Sequence, residues 1–178
     1  MSIGSGWAEP RLKEHCNDYV DNLSEKCINI WTFLSQSSFQ SDDSLLSIAW
    51  RHVAEGGFLA LLEGFSKVYD CSTEGRALMS MDLASYSSSI SKRAMKDRLK
   101  DNTKLPPTPA TNRGMQYVDI YVKVFYFPAD DVMKWIKENR NHYHLSHLLT
   151  LVSYGVHSQL PHNELANCSK KRDQIVAL

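Results

Sequence analysis

Apolar residues recur every three or four positions along most of this chain, and that spacing restricts its fold more than any other feature. From Leu12 the pattern runs through Cys16, Tyr19 or Val20, Leu23, Cys27, Ile30 or Trp31 and Leu34, the stripe of an amphipathic helix. Asp18, Asp21, Glu25 and Lys26 occupy the other side. The polar stretch from Ser35 to Asp43 ends this helix and offers Ser41, Asp42 and Asp43 as caps for the next. That second helix reads Leu45, Leu46, Ile48, Ala49, Trp50 and Val53, then Phe58, Leu59, Leu61, Leu62, Phe65, Val68 and Tyr69. More than one stripe is apolar, so the helix is expected at the centre with neighbours on two sides. Gly56 and Gly57 lie inside it. Each weakens a helix by about 1 kcal/mol, and the pair predicts a kink or a close crossing.

Ser72 and Thr73 can cap a third helix, with Ala77, Leu78, Met81, Leu83, Tyr86, Ile90, Met95 and Leu99 facing in. Its middle is rich in serine, which competes with helix hydrogen bonding. LPPTPA (105–110) then interrupts the pattern, because proline cannot continue a helix. QYVDIYVKVFYF (116–127) alternates like a strand through Val118, Ile120, Val122 and Val124, yet also fits a helix through Tyr117, Ile120, Tyr121, Val124 and Phe125. Periodicity leaves both open. Pro128 suits the first turn of a further helix, with Asp130 and Asp131 near its positive end and Met133, Trp135 and Ile136 inward. A last helix is expected from Leu145 to about Gly155. The expected organisation is one helical domain over 1–157, in two halves about the proline-rich linker near 105–110, with a flexible tail over 158–178.

The composition is that of a globular domain, with 43% apolar and 22% charged residues. Lys plus Arg is 20 and Asp plus Glu is 20, so the basic excess of a nucleic-acid-binding domain is missing and no nucleic-acid partner is expected. The charge is unevenly placed. Residues 1–70 carry 10 acids and 5 bases, and residues 71–178 carry 10 acids and 15 bases, a polarity that suits a joint between neighbours. The start, MSIGSGWAEPRLKE, has no apolar core of a signal peptide. The longest unbroken apolar stretch, Phe58 to Leu62, is far below the roughly 20 residues that span a bilayer. Cys16, Cys27, Cys71 and Cys168 have no close metal or redox spacing, which predicts buried thiols in a reducing, cytosolic compartment.

Candidate chemistry is sparse. His144 and His147 stand three apart and can share a helix face, with His157 or Cys168 as further ligands. A small cytosolic metal-dependent enzyme using this 142–168 cluster is the alternative function; surface histidines in a capping loop are the simpler reading. No HExxH, GxSxG, P-loop or GxGxxG motif occurs. No catalytic residue, cofactor or metal is therefore expected. Asp130 and Asp131 are adjacent and splay apart on a helix, so they read as helix-terminal charges. Lys92, Arg93, Lys96 and Lys100 form the one candidate contact surface, with the three lysines sharing a face at i, i+4 and i+8 and Asp97 able to pair with Arg93. An acidic partner or an anionic membrane surface would meet them there.

Two segments carry a family resemblance. GFSKVYDCSTEGRALMSMDL (64–83) resembles the signature near the C terminus of syndetins, where a Cys-Ser-x-Glu-Gly-Arg-Ala-Leu-Met string leads into a long helix. YVDIYVKVFYFPADDVMKWIKENRNHY (117–143) is similar to that family's closing Tyr-Val-x-x-Tyr-x-Lys-x-[FY]-Tyr segment and its Trp-Ile-Lys-Glu helix. Order and separation agree, and the resemblance covers roughly 45–152. The matching residues Cys71, Glu74, Gly75, Arg76, Tyr121, Lys123, Tyr126 and Trp135 are expected to be structural. His144 and Leu145 stand where the family carries a Ser-Thr cap, leaving Ser146 as the next candidate, and 153–178 departs from the family's lysine-rich terminal helix.

The resemblance implies an all-α fold, an antiparallel bundle or rod of five or six helices like the C-terminal part of CATCHR-type tethering subunits, and it turns 117–127 towards helix. It further implies a non-enzymatic scaffold in an endosome-associated recycling protein (EARP) complex, a vesicle tether related to the Golgi-associated retrograde protein (GARP) complex. Such a subunit acts in endocytic recycling and retrograde endosomal transport. Its surroundings are cytoplasmic, peripheral on recycling endosomes and trans-Golgi network membranes. The partners implied are other EARP/GARP-type subunits, with SNAREs or small GTPases as further ones. The expected core is Leu46, Trp50, Val53, Phe58, Leu62, Phe65, Leu78, Tyr121, Phe125, Trp135, Ile136 and Leu148.

Overall fold

A computed structural model describes residues 17–36, 42–68, 71–99, 103–107, 111–156, 173 and 175–176, and among them every regular element is a helix. In chain order these are α1 (Asp18–Gln36), α2 (Asp43–Ser66), α3 (Thr73–Ser89), α4 (Lys92–Arg98), α5 (Thr111–Val124), α6 (Ala129–Asn139) and α7 (Leu145–Thr150), with a π-helical segment (Leu151–Val156) continuing α7. The all-α expectation holds, and 117–127 resolves as the body of α5 and the turn after it. Four helices form a closed ring: α1 packs on α2, α2 on α5, α5 on α3 and α3 on α1, with α2 and α3 also touching across the middle. α7 leans on α2, and α6 packs against the π-helical segment. Tyr19–Lys26 face Ala60–Phe65 while Leu34 faces Leu45–Ala49, so α1 and α2 run antiparallel.

Among the described residues there are seven α-helices rather than five or six, because the run expected as one helix over 73–99 is broken in two. Ile90 closes α3 by donating its N–H to the Tyr86 carbonyl. Ser91 then turns extended (φ −65°, ψ 153°), and its hydroxyl accepts from the Ala94 N–H to start α4. Serine wins at this point because its side chain can supply the hydrogen bond that a helix would otherwise supply. Two other starts are capped as the sequence implies. Asp42 accepts from the N–H groups of Ser44 and Leu45 at 3.0 and 3.1 Å, which holds its carboxyl below the usual range. The Ser72 hydroxyl accepts from Gly75 at 3.1 Å. Pro128 stands one residue outside α6 rather than within its first turn, with Asp130 and Asp131 in that turn.

The buried side of α1 is Val20, Ser24, Cys27, Ile28, Trp31 and Ser35. Of the expected stripe, Val20, Cys27 and Trp31 are buried, but the buried side is rotated from it: Leu23 and Leu34 are half-buried, and Ser24 and Ser35 are buried instead. The two serines make the rotation possible, since each hydroxyl returns to a carbonyl of its own helix, Val20 at 2.8 Å and Thr32 at 2.9 Å. The N terminus of α1 is fixed by Asp82 of α3. This fully buried carboxylate accepts from the Asn17 backbone at 3.0 Å, from the Asn17 amide at 2.8 Å and from the Tyr19 hydroxyl.

Of the expected core, Leu46, Trp50, Phe58, Leu62, Phe65, Leu78, Tyr121, Ile136 and Leu148 are buried, while Val53, Phe125 and Trp135 are half-buried against it. Met81, expected inward, is exposed, because the buried face of α3 runs through Gly75, Leu78, Met79, Asp82, Leu83 and Tyr86. Of the thiols, Cys27 is buried and Cys71 only half-buried; Cys16 and Cys168 lie outside the described residues. The segment 103–107 packs rather than dangles. The Trp31 indole N–H donates to the Lys104 carbonyl at 2.8 Å, Lys104 pairs with Asp43, and Pro106 is buried. Ile175 is buried in the same core. α2 meets the length and composition of a membrane-crossing helix, with a mean hydropathy of 1.2, but Leu46, Trp50, Phe58, Leu61, Leu62 and Phe65 bury its apolar side inside the ring.

Gly57 is the close crossing. A Cβ there would lie 1.7 Å from the Tyr86 hydroxyl oxygen, whereas a Cβ on Gly56 would meet nothing within 4 Å. Overpacking costs about 1–3 kcal/mol, and replacing glycine inside an exposed helical site gains up to about 1 kcal/mol. Gly57→Ala is therefore expected to destabilise the chain by at least about 1 kcal/mol and Gly56→Ala to leave it equal or stabler, as read by urea unfolding of both variants.

Candidate functional site

The two resembling segments, far apart in sequence, meet around Arg76. The guanidinium carbon of Arg76 sits 3.5 Å above the Phe125 ring centroid, and its Nη1 donates to the Met79 sulfur at 3.5 Å. Only 5% of this arginine is exposed, so burial lowers its pKa, partly offset by Cys71, Tyr121 and Tyr126 nearby. The Tyr126 hydroxyl donates to the Thr73 carbonyl at 3.2 Å, tying the end of α5 to the start of α3. Cys71 points its thiol at the Ser72 carbonyl, 3.6 Å away. Gly75 is buried in the capped first turn and Glu74 is exposed. This arrangement joins α3 to α5, and the cation is enclosed by it rather than presented to a ligand.

Tyr121 extends the junction. It is fully buried, its hydroxyl donates to the His147 carbonyl at 3.1 Å, and burial pushes the phenol up. Its ring meets Phe125 edge-on at 5.7 Å. Beyond it, Tyr117 and Tyr143 stack at 4.1 Å; the Tyr143 hydroxyl donates to the Tyr117 carbonyl, and the Tyr117 hydroxyl donates to the His142 carbonyl, both at 2.7 Å. Trp135 belongs to this second cluster, tilted 5.1 Å from Tyr143. Lys123 joins neither; it is exposed and pairs with Asp119 one turn earlier.

The histidines are arranged for structure. The His144 ring, not Ser146, caps α7: its Nδ1 accepts from the Ser146 N–H at 3.4 Å and lies 2.7 Å from the Ser146 hydroxyl. A serine beside an imidazole is the start of a nucleophilic pair, but this one is an exposed contact two residues apart, spent on a helix end. His147 departs from the surface-loop expectation, being 8% exposed. Its Nε2 lies 2.8 Å from Glu63 Oε2, and Glu63 also binds Lys67 at 2.8 Å. Those two partners draw the Glu63 pKa down to about 2; with Glu63 half exposed, the pair's value is that of a surface ion pair, at most about 1 kcal/mol. Among the described residues no group of three His, Cys, Asp or Glu could hold a metal ion; His157 and Cys168 lie outside them.

Of the basic face, Lys96 is exposed on α4, while the side chains of Lys92 and Arg93 and all of Lys100 lie outside the described residues. α4 ends at Arg98, with Leu99 extended at ψ 144°, so the expected helical step from Lys96 to Lys100 is interrupted.

A different surface was hidden from periodicity. α1 and α2 frame two apolar grooves, one of about 300 Å³ beside Asn22, Leu23, Lys26, Ala60, Leu61 and Gly64, the other of about 280 Å³ beside Leu34, Leu45, Leu46, Ile48 and Ala49. Ile30, Phe33, Leu45, Ile48 and Leu59 are exposed on the same two helices, Phe33 at 72%. The signal lay in the choice left open between Ile30 and Trp31: once Trp31 faces in, Ile30 and Phe33 face out.

Comparison with known proteins gives one consistent match. The family model described as "Syndetin, C-terminal" matches residues 3–177, well past the 45–152 span of the two strings and through the tail that departs from the expected terminal helix. Syndetin of Gallus gallus is 30% identical over 156 residues, which is 86% of this chain and 15% of that protein. Syndetin of Rattus norvegicus is also 30% identical over 156 residues, with the same coverage of 86% and 15%. The chain thus spans 15% of the length of the curated relatives it matches. No solved structure matches it.

The Arg76–Phe125 contact can be weighed directly. A desolvated cation–π pair is worth about 2 kcal/mol, so a double-mutant cycle with Arg76→Met and Phe125→Leu is expected to give a coupling of about 1–2 kcal/mol in urea unfolding. Additivity within about 0.3 kcal/mol would contradict this account of the junction.

Proposed function

The chain belongs to the syndetin C-terminal family, and on that premise we propose that it is a non-enzymatic scaffold and interaction domain of a syndetin-like vesicle-tethering subunit. It acts in endocytic recycling and retrograde endosomal transport, on the cytoplasmic side of recycling endosomes and trans-Golgi network membranes. Its partners are other subunits of an EARP- or GARP-type complex, with SNAREs or small GTPases as further ones and the basic face of α4 near anionic lipid. The observation that carries this reading is the family match over residues 3–177. The fate of the polar groups supports it. Arg76 is enclosed at a helix junction, Asp82 anchors the start of α1, and His144 caps α7; these three polar groups are occupied by the fold.

The competing metal-enzyme reading gives a different result in one preparation. Tagged chain expressed in cells is expected to enrich tether subunits over a Gly57→Leu control that disrupts the core, and to carry less than about 0.1 zinc per chain. Stoichiometric zinc lost on changing His144 and His147 to alanine, without tether-subunit enrichment, would replace the scaffold reading with the enzyme.

A further inference from the structure

We propose that α7, with the π-helical segment that continues it, is an arm that acid releases from α2, because both of its histidines hold it in their neutral form. The inference goes beyond the scaffold reading and does not depend on it. Few residues fix the arm. His147 carries the polar contact with α2 through Glu63, and its carbonyl accepts from the Tyr121 hydroxyl of α5. Leu148, Leu151 and Val152 supply the buried apolar side. His144 closes the start of the helix.

The Glu63 carboxylate, with its pKa held at about 2, is ionised at neutral and mildly acidic pH. The His147 nitrogen that faces it, Nε2, must therefore carry a proton. In a neutral ring the other nitrogen, Nδ1, then holds a lone pair. This Nδ1 is buried and has no hydrogen-bond partner among the described residues. A bare acceptor is the cheaper orphan. A second proton would turn it into a charged donor without an acceptor, in a residue only 8% exposed. The ion pair with Glu63 returns little, because that carboxylate is half exposed and already binds Lys67.

His144 reaches the same condition by another route. Its Nδ1 accepts from the Ser146 N–H at 3.4 Å and lies 2.7 Å from the Ser146 hydroxyl. Accepting needs the lone pair that a second proton removes, and a cation at a helix N terminus opposes the helix dipole.

The surroundings keep this sign. From α2 the charged neighbours are Glu63 and Lys67. From α5 Tyr121 meets the His147 ring edge-on at 6.0 Å, and burial keeps its phenol neutral. Arg76 of α3 acts on that same phenol, so a cation is already buried in this neighbourhood. The residues before α7 bring exposed His142 and the Tyr143 phenol, which burial also pushes up. The π-helical segment brings Tyr154, and α6, packed on that segment, leaves Asp130, Asp131, Lys134, Lys137 and Glu138 at the surface. Protons that the docked arm resists are taken up freely once it is released, so by linkage acid favours release. Docking is present at neutral pH and is lost as the pH falls through the imidazole range, about 7 to 5.5.

Hydrogen exchange on the full chain, referred to intrinsic rates at each pH, reads the arm directly. Protection of the 145–156 amides is expected to fall at least about tenfold from about pH 7.5 to about pH 5.5, while that of 54–62 changes less than about threefold. His144→Asn combined with His147→Gln keeps a cap acceptor and an amide donor to Glu63 but cannot titrate. Its arm is expected to hold equal protection at both pH values. Glu63→Gln keeps an acceptor for the Nε2 proton and removes the ion pair, so its acid loss should exceed the wild type's by about threefold. Unchanged or higher protection of the wild-type arm in acid would overturn the proposal, and so would an equal acid loss in the double variant. If the double variant's arm is already unprotected at neutral pH, Glu63→Gln decides: an acid loss no larger than the wild type's overturns the proposal.

Discussion

The rest of this fold depends on one phenol set against one glycine. Tyr86 of α3 is fully buried and reaches α2 where Gly57 leaves no side chain in its way. Its hydroxyl donates to the Ala54 carbonyl at 3.2 Å, which uses its single proton, so the Cys27 thiol at 3.4 Å must be the donor to its oxygen. One side chain thereby joins α1, α2 and α3, and burial pushes both the phenol and the thiol up in pKa. The Phe58 ring meets Tyr86 edge-on at 5.0 Å, and Phe58 in turn lies where a Cβ on Gly114 of α5 would be 2.7 Å from its ring. All four helices of the ring therefore register against this point. Two glycines give the helices their close approach, and two aromatic rings fill the space between them.

A second junction repeats the logic with a cation. Arg76 over Phe125 joins α3 to α5, and Tyr121, Tyr117 and Tyr143 carry the connection outward to α6 and α7. The resembling strings are explained by these contacts: one supplies the arginine and the capped turn that aims it, the other supplies the aromatic faces. Family membership in this region is thus legible as a packing requirement.

Much of this was readable in the sequence. The three-and-four spacing located α1 and α2, the family resemblance turned the segment of α5 towards helix, Pro128 with Asp130 and Asp131 marked the start of α6, and the Asp42 and Ser72 caps followed from side-chain chemistry. The paired glycines announced a kink or a close crossing, and the structure selects the crossing, assigns it to Gly57 and leaves Gly56 open to solvent. Other features were not readable, for physical reasons. Ser91 could as well have stayed inside a helix, because serine's preference for a cap depends on what the backbone gains nearby. Ser24 and Ser35 look polar in a one-dimensional pattern, yet each satisfies its hydroxyl within its own helix and so faces the core. That local satisfaction lets two serines share the buried side of α1 with Val20, Cys27, Ile28 and Trp31. The buried carboxylate of Asp82 was invisible because its donors, Asn17 and Tyr19, lie more than sixty residues away.

Native-state hydrogen exchange tests the central claim, that the crossing of α2 and α3 at Gly57 and Tyr86 holds the domain together. The amides of residues 54–62 and 83–86 are predicted to exchange only through global unfolding, with the largest protection in the chain, while those of 145–156 open at lower free energy. Exchange of the α2 and α3 amides that matches or exceeds that of α7 would contradict the account.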